Sequence, residues 1–143
     1  MTAVFKRILV ALDGSNLSDQ IMNGLEQVHM EPTTHVIIAH VIANLGADPD
    51  MAADRPQVDT ELIPHQQLEK LQMYQAALPC KSELEIVVGD PAEEIIRLAN
   101  IHQADLVVMG SRGLTGMKRI LQGSVSSQVV EDAPCTVMVV KLK

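Results

Sequence analysis

The sequence predicts an α/β fold, an open five-stranded parallel sheet with helices on both faces. Three observations predict it. Five short runs are dense in Val, Ile and Leu, helical patterns separate them, and the two kinds of segment alternate strictly along the chain. Four of the five runs are nearly continuous in aliphatic residues, the pattern of strands covered on both faces. Strict alternation of this kind goes with parallel pairing and right-handed crossovers.

The elements follow in order. Residues 7–12 (RILVAL) form the first strand. Ser18 can cap a helix in which Ile21, Met22, Leu25, Val28 and His29 recur at helical spacing as far as Pro32. Residues 36–42 (VIIAHVI) form the second strand. Residues 43–63 are acidic, contain Pro49 and Pro56, and stay unassigned; a loop of that length in a compact domain is a functional lid or lacks fixed structure. Pro64 opens the second helix, with Leu68, Leu71 and Ala76 on one face. Residues 84–88 are the third strand. Pro91 opens the third helix, where Glu93 and Glu94 suit the positive end of the dipole and Ile95, Ile96, Leu98 and Ala99 form the apolar face. Residues 106–109 are the fourth strand. The last helix starts near Ser124, carries Val125, Val129 and Val130, and is ended by Asp132-Ala133-Pro134 before the fifth strand at 136–140.

The chain has 143 residues, 47% of them apolar, enough for one domain over residues 1–143 with its own core. No second domain and no internal repeat is expected. Phe5 and Tyr74 are the only aromatics, too few for a platform that stacks single-stranded nucleic acid. A net charge of −7 argues against duplex nucleic acid and anionic membrane as partners. No apolar run is long enough to span a bilayer. The N-terminal residues lack a signal-peptide pattern, and Cys80 and Cys135 have no CxxC spacing, so a cytoplasmic protein with two reduced thiols is expected.

In open α/β sheets, ligands bind beyond the carboxyl ends of the strands, where the strand order reverses. The segment after the fourth strand is the most informative there. It reads from Gly110 through Gly113 and Gly116 to Gly123-Ser124, with Arg112, Lys118 and Arg119 between. Residues 106–130 contain no acidic side chain. Glycines let backbone N–H groups approach an anion, and Ser124 adds a hydroxyl at a helix N-terminus, so the segment reads as a polyphosphate site. Glycines also mark ordinary turns, and that reading stands beside it. Neither GxxxxGK[ST] nor a GxGxxG after a strand occurs, which counts against a fast phosphoryl-transfer enzyme. Asp13, just after the first strand, either forms a local cap or Asx-turn or faces a ligand or metal.

The spacing Gly110-x2-Gly113-x9-Gly123-Ser124 resembles the nucleotide-binding signature of the universal stress protein family, in its ATP-binding branch. Ile8 to Ser15 looks like that family's first strand and turn, Gly89-Asp90-Pro91 like the turn before its third helix, and the stretch from Ala133 to Val140 like its last strand. The resemblance covers essentially the whole chain. The second helix, which looks short, and the acidic loop depart from it.

The resemblance implies the strand order 3-2-1-4-5 of a Rossmann-like sheet of the adenine nucleotide alpha hydrolase type. It implies ATP, or AMP or ADP, between strands 1 and 4, with Mg²⁺ or Mn²⁺ held through the phosphates; Asp13 is the one candidate protein ligand for the ion. Carried over position by position, Asp13 stands at the adenosine end and Val41 meets adenine through its backbone. Gly110 and Gly113 pass close to ribose and phosphates, Gly123, Ser124, Val125 and Ser126 cradle the phosphates, and Ala11, Met109 and Arg112 count among the nucleotide-binding residues. With no aromatic in a matching position, adenine is expected against backbone and aliphatic groups.

In that order the strand at 136–140 is an edge, apolar on both faces, which a homodimer would cover, as the resemblance also implies. The alternative is that Lys141 and Lys143 protect it. The expected function is an adenine-nucleotide-binding stress-response or signalling module. A slow ATPase of related fold is the alternative, although no base or nucleophile stands beside the signature. A phospho-acceptor receiver fits less well, because strand 1 supplies one acid only. The histidines show no zinc spacing, and His40 reads as a core histidine.

Overall fold

The computed structural model describes residues 5–12, 18–43, 65–111 and 124–141. The elements are β1 (Arg7–Leu12), α1 (Ser18–Leu25), β2 (His35–Ala43), α2 (His65–Ala77), β3 (Lys81–Gly89), α3 (Pro91–Ile101), β4 (Leu106–Gly110), α4 (Ser124–Asp132) and β5 (Thr136–Val140). They build one sheet in the order β3-β2-β1-β4-β5, every neighbouring pair parallel. The expected α/β class, strand order and two-sided helix cover are all present.

β1 is the central strand. Ile8 through Leu12 are buried, because β2 and β4 pair with its two edges and helices cover its two faces. The register Ile8↔Val36 and Ile8↔Leu106 aligns the three strands, and alternation then sorts their side chains. Leu9, Ala11, Ile37, Ala39, Val41, Val107 and Met109 point to one face, where Ala92, Ile95, Leu98 and Ala99 of α3 and Val129 of α4 meet them. Ile8, Val10, Leu12, Val36, Ile38, Leu106 and Val108 point to the other, against Ile21 and Leu25 of α1 and Leu71 of α2. Burying each such Val, Leu or Ile contributes about 1.5–3 kcal/mol, so an aliphatic run without polar interruption is what this position requires.

Several boundaries differ from those predicted. β3 begins three residues earlier than expected, because Lys81, Glu83 and Glu85 alternate with half-buried neighbours along an edge strand. α1 ends at Leu25, and turns at Gln27 and Val28, which bond back to Gly24 and Leu25, replace the predicted continuation. α2 is a 13-residue helix in which Leu71 is buried and Ala76 exposed, so Ala76 is not on the packed face. Val130 of α4 is likewise 54% exposed rather than packed. Gly24 sits in α1 for steric reasons: a Cβ there would lie 2.6 Å from Val140 Cγ2 of β5.

α3 has a built start and a built end. Asp90 caps it by accepting the N–H of Glu93 at 3.0 Å, with Pro91 in the first turn. At the other end Gln103 is left-handed, with φ 52°. The N–H of Ala104 bonds the carbonyl of Ala99 and that of Gln103 the carbonyl of Asn100, the paired bonds of a Schellman turn. Such a turn favours glycine at this position. Gln103→Gly is therefore expected to raise the unfolding free energy by about 1 kcal/mol, read from the denaturant midpoint; no change would mean that Gln103 carries no conformational cost.

Candidate functional site

The strand order reverses at β1, which pairs β2 on one side and β4 on the other. α1, which follows β1, packs on one face and α4, which follows β4, on the other, the topology at which open α/β sheets bind ligands. Gly110, the last residue of β4, is buried and pairs with Val140. The N–H of Ser111 bonds the Val140 carbonyl at 2.9 Å, which extends the pairing one residue further. α4 begins at Ser124 and presents its N-terminal N–H groups and partial positive charge at that point in the chain.

The residues predicted for the site fall into two groups. Ala11, Val41 and Met109 lie on the same sheet face near the carboxyl ends of β1, β2 and β4, and their side chains are core. What they can offer a ligand is backbone and the aliphatic wall they build. Val125 is half-buried and packs against the same core, and Ser126 is buried in the first turn of α4. Asp13, Arg112, Gly113 and Gly123 lie outside the described residues, as does the acidic loop.

Both aromatics go elsewhere. Phe5 and Tyr74 pack on the α1/α2 face, and the Tyr74 hydroxyl donates to Asp19. The α3/α4 face, which carries Ala11, Val41 and Met109, therefore packs neither Phe nor Tyr among the described residues. His40 is a core histidine, as expected: it is 6% exposed and its Nδ1 lies 3.1 Å from the Leu12 carbonyl, at the end of β1.

The opposite end of the sheet is tied by a residue that sequence reasoning passed over. Asp105 accepts the backbone N–H groups of Lys6 and Arg7 at 2.8 and 3.0 Å, and its own N–H bonds the Arg7 carbonyl. A lone Asp before a strand carries no motif, and only the β1–β4 pairing shows its task.

The comparisons with known proteins agree with this architecture. The family model described as "Universal stress protein family" matches residues 5–141. A universal stress protein of Methanocaldococcus jannaschii is 31% identical over 142 residues, covering 96% of this chain and 83% of the relative. The chain belongs to the universal stress protein family. The solved structure of another M. jannaschii universal stress protein, MJ0577, superposes with a TM-score of 0.77 at 28% identity, over 96% of both chains. Two further structures share the fold at 22% identity. One is a universal stress protein in complex with cAMP, with a TM-score of 0.70 over 99% of this chain and 100% of that one. The other is an Arabidopsis thaliana member with AMP bound, with a TM-score of 0.66 over 96% of this chain and 92% of that one.

The surroundings of the two thiols of this universal stress protein favour the protonated form. Burial pushes the Cys80 thiol up, and burial together with the negative charge of Asp105 does the same for Cys135. A raised pKa lowers the thiolate fraction near neutral pH, and the thiolate is the reactive species. A thiol-specific disulfide reagent at pH 7.5 is expected to label both cysteines slowly in the folded protein and fast in denaturant. Rapid labelling of the native protein would contradict that environment.

Proposed function

We propose that this universal stress protein binds an adenine nucleotide, ATP or its AMP and ADP relatives, in the crevice between β1 and β4, and works as a cytoplasmic, homodimeric stress-response or signalling module. The observation that carries the reading is the reversal of strand order at β1: Gly110 ends β4 beside it, on the edge at which open α/β sheets bind ligands, and α4 follows in the chain. The sequence puts Gly113 and Gly123-Ser124 in the connection between them, at the spacing of the nucleotide signature, with Arg112, Lys118 and Arg119 and no acid. Two chains of the same fold are known with cAMP and with AMP, which share the adenine and the phosphate.

In this reading adenine lies against the aliphatic wall of Ala11, Val41 and Met109 and bonds the backbone near Val41. Gly110, Arg112 and Gly113 pass the ribose and phosphates. Gly123, Ser124, Val125 and Ser126 hold the phosphates with N–H groups and hydroxyls. Asp13 stands at the adenosine end. Such a donor set suits a phosphate that carries Mg²⁺ or Mn²⁺, which would neutralise its charge, with Asp13 as the protein's carboxylate. Gly123→Val should abolish ATP binding in calorimetry while the circular dichroism spectrum stays the same; wild-type affinity would remove the phosphate-loop reading. Mass spectrometry of nucleotide released from undialysed protein identifies which nucleotide is held.

The two sheet edges support the dimer. β3 carries Lys81, Glu83 and Glu85 along its length, the charges that discourage edge pairing. β5 carries none, and Val139 there is 40% exposed. On the preceding α4, Val130 is exposed as well. Replacing Val137 and Val139 together with Lys should give a monomer by light scattering; a dimer of unchanged mass would place the interface elsewhere.

A further inference from the structure

At the amino-terminal edge of the sheet, opposite the crevice, two strands and a helix bring four chemistry-bearing side chains together. Glu83 and Glu85 stand two apart on β3 and so share one face. In the β2–β3 register Glu83 lies beside Ile37 and Glu85 beside Ala39, and His35 comes two residues before Ile37 on the same face. α3 covers that face, and its C-cap residue is His102.

The His102 ring sits between the two carboxylates. Its Nδ1 is 3.7 Å from Glu83 Oε2 and its Nε2 is 3.5 Å from Glu85 Oε1. His35 Nε2 lies 3.9 Å from the same Glu83 oxygen. These separations are too long for hydrogen bonds, which run to about 3.2 Å. One ligand atom each from Glu83, Glu85 and His102 falls within a span of 4.8 Å.

We propose that Glu83, Glu85 and His102 form a site for a divalent metal ion of the zinc class, with His35 steadying Glu83. Four considerations carry the proposal. First, two carboxylates on one strand face repel each other, and among the described residues their ion-pair partners are His35 and His102, neither of which holds a permanent charge. Arg97 on α3 attracts Glu85, but its Nε and NH2 groups bond Glu94 at 3.1 and 2.7 Å. Second, the mixed donor set is selective. Imidazole with carboxylate suits Zn²⁺, Co²⁺ or Ni²⁺, whereas Mg²⁺ and Ca²⁺ prefer oxygen alone.

Third, the spacing is close to what a metal needs. Bonds of about 2.0–2.1 Å in a tetrahedron set ligand atoms about 3.3 Å apart. One ring nitrogen alone can ligate the ion, so the glutamate that faces the other nitrogen has to turn toward it and close a span of up to 4.8 Å. Fourth, the histidine is already in place. His102 has a side chain 13% exposed, it ends α3 in the Schellman turn, and its carbonyl accepts the Arg7 Nε–H at 2.6 Å. Three protein ligands leave a position for water or a second molecule.

The test is calorimetric titration of Zn²⁺ into the full chain after treatment with a chelator. Wild type is expected to bind Zn²⁺ through this site, with Mg²⁺ unable to compete. His102→Gln, Glu83→Gln and Glu85→Gln should each weaken that binding by about tenfold or more. Denaturant midpoints measured in chelator identify any variant that fails to fold. Glu85→Gln, a half-buried position on an edge strand, carries the test if His102→Gln is lost. Absence of Zn²⁺ binding, wild-type affinity in the folded variants, or equal competition by Mg²⁺ would each overturn the site. ATP binding at the far edge is read separately, so failure here leaves the nucleotide reading untouched.

Discussion

Everything in this fold depends on β1 being covered from all four sides. Its edges are paired to β2 and β4, and its faces are packed under α1 and α2 on one side and α3 and α4 on the other. A strand so placed can hold no polar side chain from Ile8 to Leu12, since each would lose water without a partner. The same placement forces the chain to leave β1 and β4 toward opposite faces. The switch point is thus a consequence of the core: the residue pattern that buries β1 also sets the place at which open α/β sheets bind ligands.

The sequence displays these constraints unevenly. β1, β4 and β5 were legible to within a residue, because strands with helices on both faces or apolar edges announce themselves by unbroken aliphatic runs. β3 was legible only in its second half. An edge strand with one open side tolerates Lys81, Glu83 and Glu85, and its polar alternation hides its start. The end of α1 was misread because Val28 and His29 keep the helical period after the backbone has turned, at Gln27 and Val28. Periodicity records which side a residue packs on, and a turn can keep that side while ending the helix.

The two candidate sites differ in the same way. The nucleotide signature is local, a set of glycines and a serine along one connection, so its spacing is visible in one dimension. The Glu83, Glu85 and His102 arrangement is not. Glu83 and Glu85 stand two apart on β3, but His102 reaches them only through the return of α3 across the sheet, and His35 only through the β2–β3 register. A search for histidines at short metal-binding intervals passes over such a set, because the interval that matters here is the distance from a strand to the end of the helix that follows it.

α3 joins the two edges of the sheet. Asp90 caps its start beside the carboxyl end of β3, and His102 caps its end at the amino-terminal edge. Twelve residue steps from Asp90 to His102 at about 1.5 Å each put roughly 18 Å between the two caps. A nucleotide between β1 and β4 and a metal ion beside the end of α3 would lie toward opposite ends of the strands and need share no contact. Each proposed site could then be removed by substitution while the other reports that the fold is intact. The division follows from the topology: a parallel sheet sends every helix back across its full depth, so the end of each crossover helix lies far from the ligand edge where the helix began.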